Sequence, residues 1–172
     1  MINLEEYIID EDCIEKINDS DVLMEYIKEG RPLQQLFGFS NETTVEFYEA
    51  AKSILEQNRY EDAINAFTFL TTLNPYISDF WLGLGMAHQQ NNDFDKAIYA
   101  YSVGFKLKGG KIFPYSLAAQ CCMEIKDYEQ ALKIMEQAEI YAEEHAEEED
   151  TRKLKKDAKK GRRYILQEQK KG

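Results

Sequence analysis

Three short phrases recur along the chain. Residues 59–64 read RYEDAI, residues 93–98 read DFDKAI and residues 127–132 read DYEQAL. Their alanines, Ala63, Ala97 and Ala131, stand 34 residues apart, twice. A strict period of this length restricts the fold severely. Each unit is one supersecondary element that cannot bury its apolar face alone, so successive units must stack.

The other positions of the period agree. A large residue falls at Phe47, Trp81 and Tyr115, and a small one four residues later at Ala51, Gly85 and Ala119. A second large residue falls at Phe67, Tyr101 and Met135. Three residues further on stand Leu70, Gly104 and Ala138, where Leu70 departs from the small side chain of its counterparts. The closing proline is present as Pro75 and replaced by Gly109 and Glu143. This pattern resembles the tetratricopeptide repeat, a helix–turn–helix unit, over residues 43–142. Small side chains let two helices approach, and large ones fill the space between them.

The expected fold is all-α, with three tetratricopeptide repeats in a superhelical stack and flanking N- and C-terminal helices. First helices (A) are predicted over 43–57, 78–91 and 112–125. Second helices (B) are predicted over 60–73, 94–107 and 128–144. Asparagine and aspartate suit the tight turns between them. The stretch TTVE at residues 43–46 reads as a capping box. The chain divides into an N-terminal helical region (1–42), the repeats (43–145) and a polar C-terminal capping helix with a basic tail (146–172). Leu154, Ala158, Ile165 and Leu166 are the few apolar positions of that last helix. Its acidic-to-basic order suits the helix dipole.

Charge narrows the function classes. The net charge is −11, yet residues 151–172 hold 10 bases and 2 acids, a balance of +8. The remainder carries −19, which argues against a polyanion on the main body. The basic tail reads as a solvated end helix. The acidic start of the chain has neither a basic n-region nor an apolar h-region, and no apolar run approaches a spanning helix. Three cysteines, two of them adjacent, give neither a disulfide framework nor a zinc pattern. A reducing cytoplasm is expected.

Catalytic chemistry is not visible. His88 sits where the repeat usually has a bulky packed residue, and His145 lies in a Glu-rich stretch. Cys121 and Cys122 read as packed thiols. LGLG and KGGK lack the glycine spacing of phosphate loops. No enzyme, metal, cofactor or small-molecule substrate is expected.

In a tetratricopeptide stack the A helices line a concave groove. The candidate groove residues are Tyr48, Lys52, Leu55, Leu70, Leu82, Met86, Gln89, Phe113, Gln120 and Met123. Apolar pockets interleaved with amides suit an extended peptide, whose side chains enter pockets while its backbone is hydrogen-bonded. Lys52 alone does not make the basic clamp that grips an acidic peptide C-terminus.

Residues 80–104, FWLGLGMAHQQNNDFDKAIYAYSVG, narrow the resemblance further. With FYEAA, FTFLTTLNPY, FPYSLAAQC and the run LQQLFGFSNETTVEFY, they resemble the class II type III secretion chaperones of the SycD/LcrH/IpgC family over residues 30–142. Gly83, Gln89, Ser102 and Gly104 match that family although the general repeat does not demand all of them. The resemblance implies a chaperone of the bacterial cytoplasm that holds hydrophobic translocator proteins of a type III secretion system soluble until export. It implies an extended cargo segment in the concave groove, no direct membrane insertion, and a homodimer formed through the N-terminal region. It places the groove aromatic at Tyr48. Lys52 stands where the family often has another aromatic. A general tetratricopeptide scaffold for a folded partner, or a chaperone that also co-regulates transcription, remain the alternatives.

Overall fold

The computed structural model describes residues 11–107, 114–147 and 151–171. Among the described residues the chain forms ten α-helices and no strand. They are α1 (Glu11–Asn18), α2 (Ser20–Lys28), α3 (Leu33–Leu36), α4 (Asn41–Glu56), α5 (Tyr60–Leu73), α6 (Ser78–Gln90), α7 (Phe94–Lys106), α8 (Pro114–Glu124), α9 (Tyr128–Glu144) and α10 (Thr151–Gln169). Each helix from α4 to α10 packs on the next in the chain, and α4 also touches α6. The A helices are therefore α4, α6 and α8, and the B helices are α5, α7 and α9. Residues 112 and 113, the expected start of the third A helix, lie outside the described residues.

The turn inside each unit is built the same way. Asn58, Asn92 and Lys126 have positive φ, at 59°, 61° and 61°, and again stand 34 residues apart. Each closes its A helix in a Schellman motif. The N–H of Asn58 donates to the Leu55 carbonyl and that of Arg59 to the Ile54 carbonyl. Asn92 and Asp93 do the same toward Gln89 and His88, and Lys126 and Asp127 toward Met123 and Cys122. These bonds satisfy carbonyls that the helix end would leave open. Asparagine tolerates the left-handed conformation well; lysine adopts it here against its preference.

The first A helix begins earlier than the capping box predicts. Ser40 is the N-cap, and its hydroxyl accepts the Thr43 N–H at 3.0 Å. Thr43 and Thr44 are buried in the first turn. The Thr44 hydroxyl donates to the Ser40 carbonyl. A hydroxyl one turn upstream thus does the capping that the sequence offered to Thr43.

Two apolar clusters fill the stack. One joins Ala51, Ala63, Phe67, Leu70, Phe80, Leu84, Ala87 and Ala100; the other runs from Ala97 and Tyr101 through Tyr115 and Met135 to Ile165. The glycines of α6 explain how the rings fit. A Cβ on Gly83 would stand 2.1 Å from the Phe67 ring, and one on Gly85 would stand 2.5 Å from the Tyr101 ring. Phe67 and Tyr101 are both fully buried. Gly83 therefore receives the ring of the preceding unit, and Gly85 the ring of its own. Polar bonds fix the same helix: Trp81 Nε1–H donates to the Pro75 carbonyl at 2.8 Å, and the Ser78 hydroxyl to the Gly104 carbonyl at 2.9 Å.

The N-terminal helices are tied to the first unit. Gln34 is 5% exposed; its amide donates to the Phe39 carbonyl and Asn41, and its oxygen accepts from Asn74 at 2.9 Å. At the other end α10 lies along α9. Leu154, Ala158 and Ile165 are buried as expected, but Leu166 is 43% exposed. Leu166 lies roughly 100° around the helix from Ile165, which turns it off the packed face. The acids at residues 148–150, on which the dipole reading rests, lie outside the described residues. Within the described residues α10 is tied to α9 by ion pairs, Lys155 to Glu143 at 2.9 Å and Arg162 to Glu139 at 3.2 Å.

Gly83→Ala is expected to destabilise the fold by about 1–3 kcal/mol, because overpacking against a fixed aromatic ring outweighs the helix-propensity gain of about 1 kcal/mol. Gly161→Ala makes the opposite case. Its Cβ would meet only the flexible Met135 thioether, at 2.9 Å. Neutral or raised stability, by up to about 1 kcal/mol, is expected there. Urea unfolding of both variants checks the pair.

Candidate functional site

The A helices leave a regular face uncovered. Tyr48, Leu82 and Ser116 are 34 residues apart; so are Lys52, Met86 and Gln120, and so are Leu55, Gln89 and Met123. Each trio stands at one helical position on α4, α6 and α8. Within a helix the members are four and then three residues apart, the spacing of one helix face. None of the nine is buried. The result is a three-by-three array of half-exposed side chains.

Neighbouring columns approach one another. The Tyr48 ring lies 5.7 Å from that of Phe80 on α6 and edge-on to Phe67 at 6.1 Å. Gln89 Nε2 reaches toward Gln120 Oε1 at 3.5 Å. Tyr101 reaches from α7 into this face: its ring is buried, yet its hydroxyl donates to Gln89 Oε1 at 2.7 Å. Burial holds the Tyr101 phenol well above its ordinary pKa, so it remains a donor. Gln89 is thus held by a core tyrosine, and its amide N–H₂ is turned toward Gln120 on the next A helix. The spacing of the repeat gave no signal for this bond, because it depends on the distance between α6 and α7.

Lys52 closes the first column. Its ammonium pairs with Glu49 at 2.9 Å and lies 5.4 Å from the Tyr48 ring centroid. The hydrogen bond to Glu49 raises its pKa, so the charge is kept. Leu55 packs partly on the first cluster, and Leu82 and Met123 on the second. Met86 is 38% exposed and Gln120 is exposed.

Two expected residues stand apart from this array. Leu70 is 1% exposed and belongs to the core, not to an open groove. It occupies a B helix, and its row faces helix A of its own unit: a Cβ on its counterpart Gly104 would lie 3.4 Å from Trp81 Cβ. Phe113 lies outside the described residues.

The remaining reactive groups are packed. Burial pushes the Cys121 thiol up to about 11 and Cys122 up to about 12, so neither is an activated nucleophile. Among the described residues no group of three His, Cys, Asp or Glu is placed to hold a metal ion. No helix among them is long and apolar enough to cross a membrane. A polar cleft of about 510 Å³ opens between the B helices α7 and α9, away from the array, with Ser102, Lys106 and Gln130 among its walls.

The tetratricopeptide-repeat family model matches residues 48–104. Low calcium response locus protein H of Yersinia pestis is 34% identical over 101 residues, which cover 58% of this chain and 59% of that one. Chaperone protein SicA of Salmonella typhimurium is 26% identical over 102 residues, 59% of this chain and 62% of that one. The chain therefore spans about three-fifths of the length of the curated relatives it matches. The type III secretion chaperone SycD of Yersinia enterocolitica, solved in complex with a peptide of the translocator YopD, superposes with a TM-score of 0.62. That match has 26% identity and covers 75% of this chain and 96% of SycD. The chain is thus similar, in sequence and in fold, to chaperones of the SycD/LcrH kind. SicA and SycD are chaperones by name.

His88 offers a pH test of the array's support. It is 8% exposed, with Nδ1 3.3 Å from Asp93 Oδ2. Burial lowers its pKa from 6.5, and the Asp93 hydrogen bond only partly opposes this. Between the lowered folded value and 6.5 the unfolded chain binds more protons, so stability rises with pH across that window. His88→Gln is expected to flatten that slope in unfolding measured below and above the window.

Proposed function

We propose that the chain is a cytoplasmic type III secretion chaperone that holds an extended segment of a hydrophobic translocator across the nine-residue array. The observation that carries the reading is the array itself. Apolar side chains (Tyr48, Leu55, Leu82, Met86, Met123) alternate with amides (Gln89, Gln120), and all are accessible. Extended segments are recognised by apolar anchors in pockets and by hydrogen bonds to their backbone. The Gln89 amide, positioned by Tyr101, reaches toward Gln120 with one N–H and offers its second as such a donor. SycD, a relative by sequence and fold, is solved with a translocator peptide, which supports the cargo class.

The mechanism is mass action. The chain stabilises the bound, soluble form of a segment that would otherwise aggregate or enter a membrane, and it needs no enzyme chemistry. Each buried apolar anchor contributes roughly 1.5–3 kcal/mol before ordering costs. Lys52 narrows the first column. Its ammonium over Tyr48 favours a ligand group that tolerates a cation, such as a backbone carbonyl, over a deep apolar anchor. A homodimer through the N-terminal helices is part of the proposal. Ile14, Met24 and Ile27 are exposed there, at 46%, 49% and 57%.

Met86→Glu is the cleaner probe of the array than a change at Tyr48, whose ring touches the core residues Phe67 and Phe80. It should weaken binding of translocator segments by roughly tenfold or more while the unfolding midpoint stays near wild type. Affinity capture from the native bacterium, followed by mass spectrometry, should then lose a hydrophobic translocator-like partner. Unchanged capture of soluble, folded partners by Met86→Glu would instead favour a scaffold.

A further inference from the structure

We propose that the outer face of α10 docks electrostatically on an anionic lipid bilayer surface. Arg152, Lys153, Lys156, Lys160 and Arg163 are all exposed. At 3.6 residues per turn they fall within an arc of roughly 100°. The two acids of the helix, Asp157 and Glu168, fall outside that arc. The opposite face of α10 is occupied: Leu154, Ala158 and Ile165 are buried, and Lys155 and Arg162 pair with Glu143 and Glu139 on α9. The five outer bases make no ion pair among the described residues. They form an uncompensated basic stripe at the end of the stack, on a chain whose other 150 residues carry −19.

The shape of the stripe selects the occupant. A nucleic-acid groove would enclose α10 with walls roughly 8.5 Å high. Those walls would bring phosphates against Glu136, Glu139 and Glu143 of α9. A flat anionic surface meets only the outer arc. The acidic helices then lie behind α10, a helix diameter of about 10 Å away, where screening at about 8–10 Å weakens their repulsion. A protein partner would be expected to use a stripe with aromatic anchors at its centre, and protein interfaces are depleted in lysine. Here the apolar groups sit only at the edges of the stripe: Tyr164 on one side and Leu166 on the other, 54% and 43% exposed. Basic clusters of this size on a helix bind anionic lipid through charge alone. Docking of this kind is peripheral and needs no spanning helix. It does not depend on what the A-helix array binds.

The test is sedimentation of the full-length chain with vesicles of phosphatidylcholine alone or mixed with phosphatidylglycerol. Binding to the mixed vesicles should exceed that to neutral ones by roughly tenfold or more. It should vanish in about 1 M salt, where the Debye length is about 3 Å. The triple variant Lys156→Glu, Lys160→Glu and Arg163→Glu should lose it, and Lys156→Arg with Lys160→Arg should keep it. Equal binding to both vesicles, or none to either, overturns the proposal; so does full retention by the triple variant. Salt-sensitive binding to a short DNA duplex without vesicle binding overturns it as well and assigns the stripe to nucleic acid. Translocator-segment binding, measured on the same samples, should be unchanged by the triple variant. Failure on vesicles is thereby separated from failure of the chaperone reading.

Discussion

Two aromatic rings seated on two glycines hold the repeats in register. Phe67 lies over Gly83 and Tyr101 over Gly85, and each ring is fully buried. The contacts point in opposite directions from α6. One clamps the second unit to the first, and the other closes the second unit on itself. Neither tolerates a Cβ without movement of a ring that is packed on all sides. A glycine costs about 1 kcal/mol relative to alanine in a helix, and burial of a large aromatic returns roughly 1.5–3 kcal/mol. The exchange is favourable only because the helix can approach that closely. Ala51 and Ala119 stand at the Gly85 position in the outer units, so the tightest approach is confined to the middle of the stack.

The ends of the stack are finished by different means. At the N-terminal end a buried amide, Gln34, bonds to Phe39, Asn41 and Asn74 and so links α3 to the start of α4 and the end of α5. At the C-terminal end α10 covers α9 with three buried apolar residues and crosses to its acids with Lys155 and Arg162. Exposed ion pairs add little to stability, so apolar burial holds α10 in place and the pairs orient it. Matching basic α10 to acidic α9 uses only the inner and lateral charges of α10. The outer ones are left over as a consequence of that packing.

Most of the fold was legible because the 34-residue period fixes local and tertiary positions together. Helix bounds of the three repeats fell within about two residues wherever they are described, whereas the C-terminal helix, expected from residue 146, begins at Thr151. The turns were legible through Asn58 and Asn92, but Lys126 takes the same backbone conformation only because the flanking helices impose it. The misses share a cause. Thr43 and Ser40 are both good caps, and burial of Thr43 decided between them. Leu70 and Leu166 are both leucines on helices, and only the direction of each relative to a neighbouring helix separates a core residue from an exposed one. The bond from Tyr101 to Gln89 likewise needs an interhelical distance that no single-helix pattern contains.

The division of α6 into two faces sets what kind of ligand the array can accept. Gly83, Leu84, Gly85, Ala87 and His88 are buried in the stack, which leaves Leu82, Met86 and Gln89 as its free column. Helices in contact lie roughly 8–10 Å apart. An extended chain rises about 3.3 Å per residue, so it passes from one A helix to the next in about three residues. A ligand that follows the array would therefore place an anchor at about every third residue. A helical ligand would instead need anchors about seven residues apart, because it advances only about 1.5 Å per residue. The columns are only half-exposed, so each offers a limited apolar area and no single anchor would dominate. Affinity would come from several weak anchors in register, and such a segment can be released stepwise from one column at a time.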